Sequence, residues 1–334
     1  MSDFAVTRRD ALKGLGGLAL SAALSGAAAA ADSGARSLSF LAVGDWGRKG
    51  AYHQRDVAIQ MGECARELNA RFVVSVGDNF YEDGVASVED PLWRESFEQV
   101  YDAPSLQVPW HVALGNHDYR GSVAAQIAYS AISNRWRMPA RWYSFEERAP
   151  DGTVVELFVT DTTPMVKRYY GDLYMRREVE GQKVSVPLQL AWLDRALARS
   201  QADWKIVVGH HPVYSRPTGH GIEGLMRGPH LVGVEIDAMP DLVAAIDPIL
   251  QRHRVPLYLN GHLHDLQHVH GGVTDFVCTG AGSKLGDFCF LGGGDFCALQ
   301  SGFVACTVTR ERLRVVYRDR TGARLDVVEI QRAS

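Results

Sequence analysis

The chain has no Cys-x-x-Cys pair, and its five cysteines (Cys64, Cys278, Cys289, Cys297 and Cys306) are odd in number. Zinc-ribbon and thioredoxin-like sites therefore find no support. It also lacks a basic excess: 35 Lys and Arg face 39 Asp and Glu, for a formal net charge of −4. That argues against a nucleic-acid or membrane-surface binder, which needs a basic stripe. A strong transmembrane run is missing too. The apolar segment Gly14–Ala31 spans only 18 residues, with eight Ala, four Gly, two Ser and four Leu, at the short end of the ~20 needed for a span. No linker, low-complexity tract or internal repeat follows residue 36. The 334 residues thus read as a leader over residues 1–31 and one domain over 37–331, long enough to stand without a disulfide staple.

The leader has a recognisable form. Thr7-Arg8-Arg9-Asp10 precedes the mildly apolar run, which ends in Ala-x-Ala. A paired Arg before such a run predicts export by the twin-arginine machinery, with no stable membrane anchor and a periplasmic or secreted mature protein. Cys64, Cys278 and Cys306 read as buried thiols. Cys289 and Cys297 flank a Gly-rich loop, and the sequence leaves open whether they pair.

Short apolar runs alternate with helical patterns through the first two thirds of the domain. Strands are expected over Ser37–Val43, Phe72–Val76, Trp110–Leu114, Lys205–Val208 and Leu257–Leu259, and helices over Gln54–Leu68, Pro91–Tyr101, Val123–Arg135, Leu188–Ser200 and Pro240–His253. Trp142–Glu146 and Val154–Thr160 suggest a hairpin around Asp151-Gly152. After residue 265 the helices stop, and Thr274–Cys278, Gly302–Thr309, Leu313–Asp319 and Arg324–Ile330 read as antiparallel strands. The fold class is α/β in four layers, two stacked mixed sheets flanked by helices.

The unusual residues sit just after the five buried strands: Gly44-Asp45-Trp46-Gly47, Gly77-Asp78-Asn79-Phe80-Tyr81, Gly115-Asn116-His117-Asp118, Gly209-His210-His211-Pro212 and Asn260-Gly261-His262-Leu263-His264. Ligands bind beyond the carboxyl ends of strands in open α/β sheets. A lone Gly-Asp is usually a turn and a lone His usually structural, but five such loops together point to metal. Asp45, Asp78 and Tyr81 offer hard anionic oxygens, Asn116 a neutral oxygen, and His210, His262 and His264 imidazoles. No thiolate is among them, which disfavours a structural zinc site. Seven donors exceed one tetrahedral ion and suit two ions ~3.5–4 Å apart that share a carboxylate. His262 and His264, two apart in extended chain, fall on one face and reach different ions. Of His210 and His211, only one is expected to point inward.

These motifs, Asp45-Trp46-Gly47, Gly77-Asp78-x-x-Tyr81, Gly115-Asn116-His117, Val207-x-x-His210 and Gly261-His262-x-His264, resemble those of the purple acid phosphatases, and most closely the small mammalian-type tartrate-resistant group. The likeness runs from about Leu38 to Ile330. It implies the calcineurin-like metallophosphoesterase fold and an acid phosphatase that hydrolyses small phosphate monoesters or phosphorylated peptides. It implies Asp45, Asp78, Tyr81 and His264 as ligands of Fe(III), with Asp78 bridging to a divalent Fe, Zn or Mn held by Asn116, His210 and His262. A metal-bound hydroxide would then be the nucleophile in a centre of residual positive charge, with Tyr81 giving the visible colour. His117 and His220 match the catalytic histidines, although His220 lies one residue further from His210 than the family spacing. His211 stands where an aromatic is expected. The mammalian-type disulfide has no counterpart in Pro164–Val186 or Gly219–Leu231. Loop Met165–Val186 and the insertion Ile222–Asp237 are expected near the site. The chain is expected to act as a monomer. A metallophosphodiesterase and an inactive exported metal- or phosphate-binding protein are the alternatives.

Overall fold

A computed structural model describes residues 37–171, 184–216, 218–219, 237–289 and 296–332. The leader, residues 172–183 of the loop Met165–Val186, His220 and residues 222–236 of the expected insertion lie outside these. In chain order the strands of the first half are β1 (Leu38–Val43), β2 (Val73–Ser75), β3 (Trp110–Val112), β4 (Trp136–Arg137), β5 (Tyr143–Arg148), β6 (Val154–Val159) and β7 (Trp204–Val208). Then come β8 (Tyr214–Ser215), β9 (Thr218–Gly219), β10 (Asp237–Ala238), β11 (Leu257–Asn260), β12 (Leu266–Gly271) and β13 (Thr274–Thr279). The last are β14 (Phe288–Cys289), β15 (Cys297–Ala298), β16 (Gly302–Val308), β17 (Arg312–Asp319) and β18 (Arg324–Gln331).

Two seven-stranded sheets result, ordered β18-β17-β16-β1-β2-β3-β4 and β15-β12-β13-β11-β7-β6-β5. Both are mixed. β1 through β4 run parallel, as do β6, β7, β11 and β13; antiparallel pairings follow on one side of this block in the first sheet and on both sides of it in the second. Every residue of β1 is buried, because both of its faces are covered. Leu38, Phe40 and Ala42 pack in a core with Ile206, Leu257 and Leu259 of the second sheet. Leu41 and Val43 belong to a core that includes Val57, Met61 and Ala65 of helix α1 (Gln54–Leu68). A strand covered on both faces takes apolar side chains at successive positions, so the parallel strands of such layered folds read as near-continuous apolar runs.

The expected elements recur with informative changes. α1 has the expected bounds. The helix expected from Val123 ends at Tyr129 as α2, because the chain turns there to pair Trp136 with Trp110 in β4. α3 spans Val186–Arg199. The run Pro240–His253 divides into α4 (Pro240–Ala245) and α5 (Asp247–Arg252). Pro248 has no N–H to give and disfavours helical backbone in the residue before it. Trp93–Glu98 is wound as π-helix. β13 is not purely antiparallel as expected: it pairs parallel to β11 and antiparallel to β12. Cys289 and Cys297 form a disulfide, and Cys64, Cys278 and Cys306 are buried free thiols. Among the described residues no helix is long and apolar enough to cross a membrane.

Candidate metal centre

The ligand loops leave the carboxyl ends of β1, β2 and β3 in one sheet and of β7 and β11 in the other. The sheets are stitched together here. Gly44 N donates to Thr279 O at 2.9 Å across the sheets, and within the first sheet Asp45 N donates to Gly77 O at 3.0 Å. His210 Nδ1 lies 3.0 Å from Val76 O. The chain turns sharply at the ligands themselves: Asp45, Asp78 and His262 have φ of 58°, 49° and 72°, left-handed conformations that cost roughly 1–3 kcal/mol each and cluster at functional sites. Close packing dictates the glycines. A Cβ on Gly115 would stand 2.2 Å from Asp78 Oδ1, and one on Gly47 would stand 1.9 Å from Asn79 O.

Two sets of donors meet at Asp78. In the first, Tyr81 Oη lies 2.9 Å from Asp45 Oδ1, 3.0 Å from Asp78 Oδ2 and 3.0 Å from His264 Nε2. In the second, His262 Nδ1 lies 3.0 Å from Asn116 Oδ1, and His210 Nε2 lies 3.4 Å from Asp78 Oδ2. Asp45, Asp78, Tyr81, Asn116, His210 and His264 are all buried, and His262 is half-buried. The seven residues singled out in the sequence therefore converge, with Asp78 common to both sets.

The donor set fits two cations. His210 Nε2 is buried and makes no hydrogen bond. Its Nδ1–H is spent on the Val76 carbonyl, which turns Nε2 toward Asp78, where it would hold a proton or, in its place, a metal ion. Burial and the Asp45 and Asp78 carboxylates push the Tyr81 phenol well above its usual pKa, so a phenolate there calls for a cation. Burial opposes a charge on His210, but Asp78 and Asp45 outweigh it and hold its pKa up at about 9. Oxygen and imidazole donors without thiolate suit hard or borderline ions.

His117 flanks the centre. Its Nδ1–H donates to Glu82 O at 2.5 Å, its Nε2 lies 3.9 Å from Asp78 Oδ2, and its backbone N–H donates to Asp78 Oδ1 at 2.8 Å. His211 is fully buried, not exposed. Its nitrogens meet Thr162 Oγ1 and Tyr169 Oη, both at 2.8 Å, and its ring centroid lies 4.5 Å from that of His262. His210 is thus the inward member of the pair, and His211 packs behind it.

Supporting residues escaped the sequence reading. Asp118 accepts from the backbone N–H groups of Asn79 and Gly115 and from Gln126 Nε2. It braces the loops that carry Asp78 and Asn116, and burial with the neighbouring Asp78 raises its pKa to about 7. Asn79 Nδ2 reaches Ala113 O at 2.9 Å. The Arg48 guanidinium lies 3.6 Å over the Tyr81 ring. The only local signal was that Asn79 and Asp118 are polar residues beside proposed ligands.

Comparisons with known proteins agree with this geometry. Residues 38–266 match the family model described as calcineurin-like phosphoesterase. Purple acid phosphatase 4 of Arabidopsis thaliana is 38% identical over 296 residues, covering 86% of this chain and 81% of its own. Tartrate-resistant acid phosphatase type 5 of Oryctolagus cuniculus is 38% identical over 258 residues, covering 75% and 74%. Among solved structures, the Plasmodium protein GAP50, the anchor in the inner membrane complex, superposes with a TM-score of 0.72 at 20% identity, over 89% of this chain and 90% of that one. That likeness speaks to the fold alone. The match along the domain and the level of identity place the chain among the calcineurin-like phosphoesterases, as a member of the purple acid phosphatases.

Proposed function

We propose that this acid phosphatase hydrolyses phosphate monoesters at an Fe(III)–M(II) pair, M being Fe, Zn or Mn. The observation that carries the reading is the sharing of Asp78 between a donor set that contains a phenol and one that contains two imidazoles. Asp45, Asp78, Tyr81 and His264 would hold the trivalent ion, where a phenolate is favoured. Asn116, His210 and His262 would hold the divalent ion beside it. Bound there, the ions polarise phosphoryl oxygens and lower the pKa of water.

The chain's own groups do the rest. The Glu82 carbonyl sets the His117 tautomer, so Nε2 faces the centre. Protonated, that nitrogen donates to a phosphoryl oxygen or to the leaving oxygen. Fixed loops keep the donors in place and add little reorganisation to the reaction. His220 would act with His117 from the segment after β9.

The Arg8-Arg9 leader supports export of the folded, metal-loaded precursor to the periplasm or beyond, and the Cys289–Cys297 disulfide suits an oxidising compartment. Replacing Arg8 and Arg9 by Lys should leave the precursor inside the cell. The catalytic reading is tested by metal analysis, a visible spectrum and turnover of nitrophenyl phosphate against its bis-ester. Two metals with iron, a visible band and preference for the monoester are expected. Bis-ester preference would make the enzyme a diesterase, and no turnover between pH 4 and pH 8 would sink the reading.

A further inference from the structure

The turn after β1 brings a cation onto a ligand of the centre. Tyr81 N donates to Gly47 O at 3.0 Å, so the residue after Gly47 is delivered to the Tyr81 side chain. That residue is Arg48. Its backbone N–H donates to Gln54 Oε1 at 3.0 Å, and the fully buried Gln54 is anchored in turn on Ser96 O at 2.8 Å. The guanidinium carbon stands 3.6 Å from the centre of the Tyr81 ring, and the Arg48 side chain is only 7% exposed. Its Nη1 pairs with the exposed Glu82 carboxylate. A cation buried this closely against an aromatic face is held more strongly than one at an exposed site.

Two parts of the centre meet at this one side chain. Tyr81 Oη faces the Asp45 and Asp78 carboxylates at 2.9 and 3.0 Å. Their negative charges oppose a phenolate, and the guanidinium over the ring offsets them. Glu82, the ion-pair partner, lends its backbone carbonyl to His117 Nδ1, and the Tyr81 and His117 ring centroids lie 4.5 Å apart. Arg48 thus covers the ring of a ligand with its face and holds, through an N–H, the residue that orients His117. Arginine suits both tasks, because its guanidinium is planar, stacks on rings and stays charged.

We propose that Arg48 is a positioning residue that couples the two: its charge sets how readily the Tyr81 phenolate gives electron density to the trivalent ion, and its pairing with Glu82 fixes His117 for proton donation. This rests on the phosphatase reading above. The sign of the first effect follows from distance. Visible absorption by an iron-bound phenolate moves negative charge from the ring toward the ion. A cation stacked on the ring lies closer to the charge that leaves than to the charge that arrives, so it stabilises the ground state and widens the gap.

The test compares the purified metal-loaded wild type with Arg48→Ala, Arg48→Lys and Glu82→Gln, reading the visible band per bound iron and the kinetics on nitrophenyl phosphate. Arg48→Ala should move the band to longer wavelength by about 10 nm or more, the scale of one unit charge lost at this distance inside a protein. Its kcat should fall about tenfold, the scale of one hydrogen bond to a charged group, with KM changed less. Arg48→Lys keeps the charge without the planar fork, so it should restore most of the band position and only part of kcat. Glu82→Gln removes the opposing charge and keeps an acceptor for Nη1. Its band should therefore move the other way, to shorter wavelength, and by less. An unmoved band in Arg48→Ala, or shifts of the same sign in Arg48→Ala and Glu82→Gln, overturns the proposal and leaves the phosphatase reading standing. Should Arg48→Ala fail to fold or to hold iron, Glu82→Gln decides alone, and a band at or beyond the wild-type wavelength overturns the proposal. A wild type without iron or a visible band overturns the phenolate reading as well.

Discussion

The first sheet supplies Asp45, Asp78, Tyr81 and Asn116 to the centre, all oxygen donors, whereas the second supplies His210, His262 and His264, all imidazoles. The sheets are alike in strand number and in each holding a block of four parallel strands, so architecture does not explain the split. Charge does. The anionic groups leave neighbouring parallel strands of one sheet, where backbone N–H groups from both sheets brace them: His117 N on Asp78 and His262 N on Asp45. The neutral ligands of the other sheet attract no cation by themselves and depend on orientation. Val76, in the first sheet's loop, aims His210. One half provides attraction, and the other provides geometry.

Removing the shared carboxylate should hurt most. Asp78→Ala is expected to lose both ions and to lower kcat on the order of 10⁴-fold or more, as when a member of a catalytic unit is deleted. Metal analysis decides it: full metal content with near-normal turnover would deny Asp78 its place between the sets. His210→Ala, on the imidazole side, should lose the divalent ion and keep the trivalent one, so that one metal remains per chain. If both leave together, the two halves are not separable.

A substitution beside the centre should do less. For His117→Ala we expect kcat to fall about 10²- to 10⁴-fold, the range of general acid–base catalysis, with metal content retained; loss of metal would make it a ligand. Tyr81→Phe should abolish the visible band and leave a folded chain. A coloured variant would refute the phenolate.

The smallest effect lies away from the site. Burial among aromatic rings, with Arg137 nearby, pushes the pKa of His111 down to about 3. The folded chain keeps it neutral while the unfolded chain takes up a proton below about 6.5. Its contribution is therefore lost as pH falls from about 6.5 toward about 3, by on the order of 1 kcal/mol per pH unit. His111 stacks face to face on Phe145 at 3.5 Å, and His111→Phe keeps that stacking. Its melting temperature should fall less between pH 7 and pH 5 than that of the wild type; parallel curves would show that His111 is protonated in the fold.

The parallel strands and the donors after them were legible because each depends on a few adjacent residues: a buried apolar run, a Gly turn, then a polar side chain. α1 was legible for the same local reason. Features set across the fold were not. The early end of α2 depends on Trp136 pairing with Trp110, and β12 on its neighbours in the second sheet. Adjacent histidines do not reveal that Thr162 and Tyr169 enclose His211, nor does any spacing bring Arg168 to His262.

The hydrogen bonds that join β1 to the end of β13, and His210 to Val76, give the centre a role as a clasp. Ligands from both sheets meet only once the sheets have closed on each other. Cations held there bind the closed form alone and stabilise it by mass action. Their capture is therefore an inspection of the finished fold: a chain with its sheets apart has no place to hold the pair.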